Sequence, residues 1–265
     1  MSGFDIEWLD LREPVDGRAR NPDLLHAAAM FMTSAPRLSI VDIGSGTGST
    51  FRAIAPRAPA VHWRLIDHDE QLLQDAARRN GESSNIAYQL ADLNDVTALS
   101  LEEAGLVTAS ALFDLCSEQF IEALAERLVA FDTGLYAALN YNGEIVFEIT
   151  HPDDGVMLDL FNLHQQSDKG FGPALGPQST DALNRIFSSK GYRVAVGSSD
   201  WLIDERAPRL HRAFVDGIAA AVIQIGALTP ARIQQWLDFR LDTAGSGTCR
   251  VGHADVLALP SNAGL

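Results

Sequence analysis

The chain has little of what would assign it to several protein classes. It holds two cysteines in 265 residues, Cys116 and Cys249. Two such isolated residues make neither a disulfide framework nor a metal-spacing motif, so buried free thiols in a reducing compartment are expected. No run reaches the roughly 18 apolar residues of a membrane-spanning helix. The opening stretch from Met1 to Glu7 is acidic and has no apolar signal core. Positive charge is also scarce. Twenty Lys and Arg stand against 35 Asp and Glu, for a formal net charge of −15 and an isoelectric point near 4.7. A surface of that sign repels phosphate backbones, which argues against a nucleic-acid partner but leaves a local basic groove open. No internal repeat, low-complexity tract or clean linker divides the chain. The expectation is a soluble cytoplasmic protein of one domain, residues 1–265, engaging neither nucleic acid nor membrane. Its 46% hydrophobic and 21% charged residues supply a sizeable core.

What is present is concentrated in one segment. Ile40 to Ile43 is an apolar run of strand type that carries Asp42 and passes straight into Gly44, Gly46 and Gly48. Without a Cβ, each glycine lets the backbone turn sharply or approach a ligand closely. Backbone N–H groups exposed at such a turn, and at the start of a following helix, suit a polar or anionic group. The dinucleotide fingerprint Gly-x-Gly-x-x-Gly fails here, because its third position is Ser49. The phosphate-loop pattern fails as well, since no lysine lies near the turn.

Two further strands end in an acid. Val61 to Asp67 is the second, and Asp67 lies about 20 residues beyond the turn, where an acidic residue meets ribose hydroxyls in βαβ units. Ile86 to Asp92 is the third. Aspartates after strands also serve as turn residues and helix N-caps. Three of them in register with one glycine turn point instead to a nucleoside-type ligand.

Asp42-x-Gly44-x-Gly46-x-Gly48 resembles motif I of the class I S-adenosylmethionine-dependent methyltransferases. Seven strands alternating with helices between Arg37 and Leu259 fit that family's sheet, whose last pair is antiparallel. The resemblance implies a Rossmann-like α/β fold with helices on both faces. It implies S-adenosylmethionine as cofactor, bound by Asp42, Gly44, Gly46, Gly48, Asp67, the pair Asp92-Leu93, and Ser110. Asp67 would take the ribose, and Asp92-Leu93 the adenine. The family's Asn/Asp-Pro-Pro-Tyr/Phe motif is absent, which argues against nucleobase amines and glutamine as acceptors. The lack of a Tyr-x-x-x-Lys motif weakens a dehydrogenase alternative.

Segment 1–36 is expected to cap the site. Trp8 to Arg20 reads as polar and broken by Pro14 and Gly17, with Arg18 and Arg20 as solvated charges unless they face the site. Segment 37–150 is the cofactor half, with its fifth strand at Gly143 to Thr150. Two insertions, 151–177 and 204–243, exceed the family framework and suit a helical substrate cap. The second carries apolar residues at helical spacing, and its Trp236 leaves a homodimer face open.

The catalytic candidates are Asp114, which would orient substrate unless it serves as an N-cap, and His151, a base whose pKa starts near neutrality. Asp153 and Asp154 would bind an amine, or a metal with His151, unless they only build the Pro-Asp-Asp-Gly turn. No metal is assigned. The stretch from His164 to Pro177 mixes polar side chains with glycines and prolines and reads as a substrate lid. His164, Gln165, Lys169 and Phe171 are its contact candidates, and Lys169 suits a substrate carboxylate. The expected activity is methyl transfer to a small molecule at an O, N or C atom. A protein substrate and a non-catalytic cofactor-binding or partner module are the alternatives.

Overall fold

The computed structural model describes residues 5–35, 37–81 and 85–261. Its centre is an eight-stranded sheet comprising β1 (Ser39–Ile43), β2 (His62–Asp67), β3 (Ile86–Leu90), β4 (Leu106–Ser110), β5 (Gly134–Phe147), β6 (Tyr192–Ser198), β7 (Trp201–Ile203) and β8 (Cys249–Pro260). The order is β3-β2-β1-β4-β5-β8-β6, with β7 also pairing to β8. The pairs among β3, β2, β1, β4 and β5 are parallel, and β8 runs antiparallel to both of its neighbours. The strand order reverses beside β1, so a crevice opens where β1 and β4 end. That is where open α/β sheets bind their ligands.

Central strands buried on both faces are apolar at nearly every position. Ile40, Leu106 and Tyr136 face one core, and Val41, Val107 and Leu135 the other. The helices α2 (Pro22–Ser34), α3 (Ser49–Ile54) and α4 (Glu70–Asn80) cover the first side, while α5 (Glu118–Ala130) and α7 (Ser179–Ser189) cover the second. α6 (Asp154–Gln165) and α8 (Pro208–Ile225) wall the space beside the crevice, and α9 (Pro230–Thr243) packs on α8. None of the helices among the described residues is long and apolar enough to cross a membrane.

Several sequence expectations need correction. The fifth strand begins at Gly134, nine residues before the expected start, and its pairing with β4 is complete by Ala138. The expected sixth strand breaks at Ser199-Asp200 into β6 and β7, because Asp200 Oδ1 takes the His253 N–H at 3.1 Å. The segment from Ile6 is a helix, α1 (Ile6–Ala19), despite the lost backbone N–H at Pro14. Asp5 caps it, Glu13 ties it to Arg52 at 2.7 Å, and Arg12 pairs with Asp16 at 2.8 Å. The insertion 151–177 is helical over nearly half its length, as α6, and the expected lid begins at the last two residues of that helix. Trp236 is 1% exposed and donates its indole N–H to Asp154 at 2.9 Å, so it is a core residue of this chain and not part of a face between copies.

Candidate active site

The turn after β1 has Gly44, Gly46 and Gly48 at φ +62°, +53° and +86°. These angles lie in the left-handed region that side chains rarely adopt. Ser45 N–H donates to Ile66 O at 3.1 Å, and Gly46 N–H donates to Asp67 Oδ2 at 2.8 Å. The turn is thereby bolted to the end of β2. Gly44 and Gly46 form part of the wall of a cavity of about 220 Å³. Gly48 does not. A Cβ there would stand 2.6 Å from Asn80 Nδ2 and 3.2 Å from Leu65 Cδ2, so its glycine lets the turn close onto α4 and β2. Its expected ligand contact is replaced by a packing role.

Asp67, Asp92, Leu93 and Ser110 all line this cavity. Asp67 is 4% exposed. Asp92 Oδ1 is oriented by the Asn94 backbone N–H at 2.9 Å. Asp42, by contrast, is not among the walls. It sits beneath the turn, accepting from Thr108 Oγ1 at 2.7 Å, and its other oxygen has no partner. Burial raises its pKa to about 7, against the Thr108 hydrogen bond and the charge of Arg20. A carboxyl that binds its proton more tightly folded than unfolded stabilises the fold at low pH. It loses that contribution as the pH rises from about 4 towards 7. Asp42→Asn, which cannot ionise, is therefore expected to gain about 2 kcal/mol more relative to the parent at pH 8 than at pH 5. Urea unfolding at the two pH values checks this, and an equal change at both would show that Asp42 does not titrate in that range.

Two N-terminal arginines, Arg12 and Arg20, reach the site. Arg20 is buried, reaching Ser110 Oγ at 3.1 Å and Thr50 Oγ1 at 3.3 Å, with Nη1 unpartnered. Arg12 reaches the cofactor cavity and an adjoining polar niche of about 40 Å³ lined by Glu13, Ser45, Thr47 and Thr50. The donor and acceptor set fits S-adenosylmethionine. Asp67 and Asp92 offer acceptors suited to ribose hydroxyls and an adenine amine, Gly44 and Gly46 leave room beside Leu112 and Leu9, and cationic and hydroxyl groups suit an amino-acid end.

Beyond Arg12, Ala111 and Leu115 lies a chamber of about 160 Å³, walled by Trp8, Tyr141, Phe161, Trp201, Phe214 and His253. Asp114 also lines it, and burial raises its pKa to about 6. Two wall residues, Ala111 and Leu139, have left-handed φ values of +50° and +56°. Strain of this kind clusters at functional sites. An outer cleft of about 610 Å³ shares Trp8, Leu115, Phe161, Gln165 and Phe214 with the chamber. His164, Gln165 and Lys169 line the cleft. Lys169 and Phe171 also reach the cofactor cavity. Lys169 Nζ lies 3.1 Å from His164 Nδ1, and burial lowers its pKa.

His151 is not brought to the site. Its ring packs on Phe239 of α9, 4.9 Å between centroids, and its Nδ1 accepts from the Asp153 N–H at 3.1 Å. Asp153 pairs with Arg232 and Asp154 with Arg240, so this turn ties α6 to α9. Among the described residues, no group of three His, Cys, Asp or Glu could hold a metal ion.

Residues 40–131 match the family model of a methyltransferase domain. In fold, the chain is similar to a cyclopropane-fatty-acyl-phospholipid synthase-like protein from Lactobacillus casei. The TM-score is 0.54 at 12% identity, over 94% of this chain and 99% of that one. It is also similar to the YcgJ protein from Bacillus subtilis, with TM-score 0.51 at 14% identity over 91% and 99%. Those two likenesses establish the fold. A SAM-dependent methyltransferase from Geobacter sulfurreducens in complex with S-adenosyl-L-homocysteine gives 0.49 at 15% identity over 98% and 100%. No curated protein sequence matches the chain.

Proposed function

We propose that the chain is a class I S-adenosylmethionine-dependent methyltransferase, with S-adenosylmethionine as its cofactor, and that it methylates a small molecule held in the aromatic chamber. Asp67 takes the ribose hydroxyls, Asp92 and Leu93 the adenine edge, and Arg12 with the niche behind the turn the amino-acid end. The bound cofactor supplies a methyl group already activated by a sulfonium, so the protein contributes mainly alignment. The observation that carries the reading is the shared wall of Arg12, Ala111 and Leu115 between the cofactor cavity and the chamber. A space of about 160 Å³ takes one small group and leaves no room for a folded surface. Asp114 lies in it with Oδ1 buried and unpartnered, suited to orient an acceptor. His164, Gln165 and Lys169 then meet the part of the acceptor in the outer cleft. The two buried free thiols, Cys116 and Cys249, suit the reducing cytoplasm.

Methyl-labelled S-adenosylmethionine and a fractionated cell extract test this. Label is expected in the small-molecule fraction. Label confined to protein would overturn the reading in favour of a protein substrate. No transfer by a protein that still binds S-adenosylhomocysteine would point to a non-catalytic module.

A further inference from the structure

His253 is a buried histidine on the last strand that the roles above leave unused, and it stands in the wall of the chamber. β8 enters the sheet antiparallel beside β5 and sets His253 directly opposite Tyr141. The ring centroid lies 4.9 Å from that of Trp201 and 5.9 Å from that of Tyr141. Its Nδ1 is 3.0 Å from Val251 O. A carbonyl can only accept, so the hydrogen resides on Nδ1 and Nε2 is left as a bare lone pair.

We propose that the acceptor presents a neutral hydroxyl on a ring-sized apolar group to this chamber, and that His253 Nε2 receives the hydrogen bond of that hydroxyl. The name acceptor rests on the methyl-transfer reading, but the hydrogen bond does not. Size supports the ring, since an apolar cavity of about 150 Å³ accommodates benzene and this one measures about 160 Å³. Trp8, Phe161, Trp201 and Phe214 supply aromatic parts of its wall.

Polarity supports the hydroxyl. Tyr141 spends its own hydrogen on Asn162 Oδ1 at 2.8 Å, so its oxygen can only accept from a ligand. Asp114 Oδ1 has no partner. Together with Nε2, these groups offer lone pairs and call for a donor. The charged groups around His253 are Arg12 from α1, Asp114 after β4, and Asp200 before β7. Burial first, then the Arg12 charge, holds the His253 pKa down to about 3, so the ring stays neutral. His253 thus holds the hydroxyl hydrogen at Nε2 and fixes which oxygen lone pairs remain free.

The test uses full-length protein saturated with S-adenosylhomocysteine, titrated with phenol and with anisole, which has the same ring but no hydroxyl hydrogen. Phenol is expected to bind about tenfold more tightly than anisole. His253→Phe should bring that ratio close to one, and His253→Gln, which restores an acceptor oxygen, should recover part of it. Nitrogen-15 spectra of the histidines should show the His253 hydrogen on Nδ1. Equal binding of the two probes, failure of both to bind, or an unchanged ratio in the Phe variant would overturn the proposal. So would a hydrogen on Nε2, which wild-type spectra decide even if the Phe variant does not fold. Loss of S-adenosylhomocysteine binding itself would instead refute the cofactor reading.

Discussion

Asp67→Ala is expected to weaken S-adenosylhomocysteine binding by about a hundredfold while the protein stays folded. Each Asp67 oxygen already has one backbone donor. Oδ2 accepts from Gly46 N–H at 2.8 Å and Oδ1 from Asp69 N–H at 3.0 Å. A carboxylate offers about four lone-pair sites, so two remain for the vicinal hydroxyls of a ribose. Hydrogen bonds to a charged group contribute about 1.5 to 3 kcal/mol each. Losing two at the lower figure costs about 3 kcal/mol, which is two decades of affinity. The truncation also frees Gly46 N–H and loosens the glycine turn, and Asp67→Asn separates the two effects. Asparagine keeps one acceptor oxygen and should lose less than alanine does. Isothermal titration beside a melting curve measures both. Retained affinity in a folded alanine variant would refute the ribose assignment.

That carboxylate is legible in the amino-acid sequence, and the contrast with His253 shows why. Asp67 belongs to a local unit of strand, turn and spacing, whose geometry is set by backbone conformation within some 20 residues. The same holds for Asp92 and Ser110, which follow or end their strands, and both stand in the cavity wall. The chamber is different. Its walls come from α1, the end of β4, β5, α6, β7, α8 and β8, and no local pattern brings Trp8, Tyr141, Trp201 and His253 together. One sequence signal does point there. His253 and Asp255 interrupt the otherwise apolar run from Val251 to Pro260, and a polar residue buried in a core strand is the informative exception.

His151 fails for a related reason. Its candidacy depends on a fifth strand ending at residue 150. The strand instead passes the crevice at Leu139 and runs on, carrying His151 beyond it to the α6–α9 junction. Pro14 misleads in the other direction. It reads as a breaker, but α1 is held by ion pairs to neighbouring elements and lays Trp8, Leu9 and Arg12 over the site. Tertiary contacts outweigh a single unfavourable residue.

Asp255→Ala should destabilise the protein by about 3 to 5 kcal/mol. Between Ala137 and Asn140, β5 places two residues opposite the single Asp255 of β8, which is a β-bulge. A bulge leaves backbone groups without ladder partners, and the Asp255 side chain supplies them. Oδ1 accepts the Leu139 N–H at 2.8 Å. Oδ2 accepts the Tyr136 hydroxyl at 2.7 Å and the Asn21 N–H at 2.9 Å. Asn21 caps α2, so one fully buried carboxylate joins the bulge to the N-terminal helices. It also holds Leu139 at φ +56°, a conformation that costs a branched residue about 1 to 2 kcal/mol. Alanine leaves three donors without their acceptor, the Tyr136 and Leu139 groups buried and the Asn21 N–H half-buried, and a buried one costs about 1 to 3 kcal/mol. The cost should therefore be non-additive with Tyr136. Tyr136→Phe should destabilise the parent by about 1 kcal/mol but be neutral or stabilising beside Asp255→Ala, where it removes an orphaned hydroxyl. Urea midpoints of the four proteins measure this cycle. A simple sum of the two single costs would show that Asp255 does not hold Tyr136. Because Leu139 walls the chamber, the Asp255 variant should also lose phenol binding before it loses S-adenosylhomocysteine, whose cavity does not include Leu139.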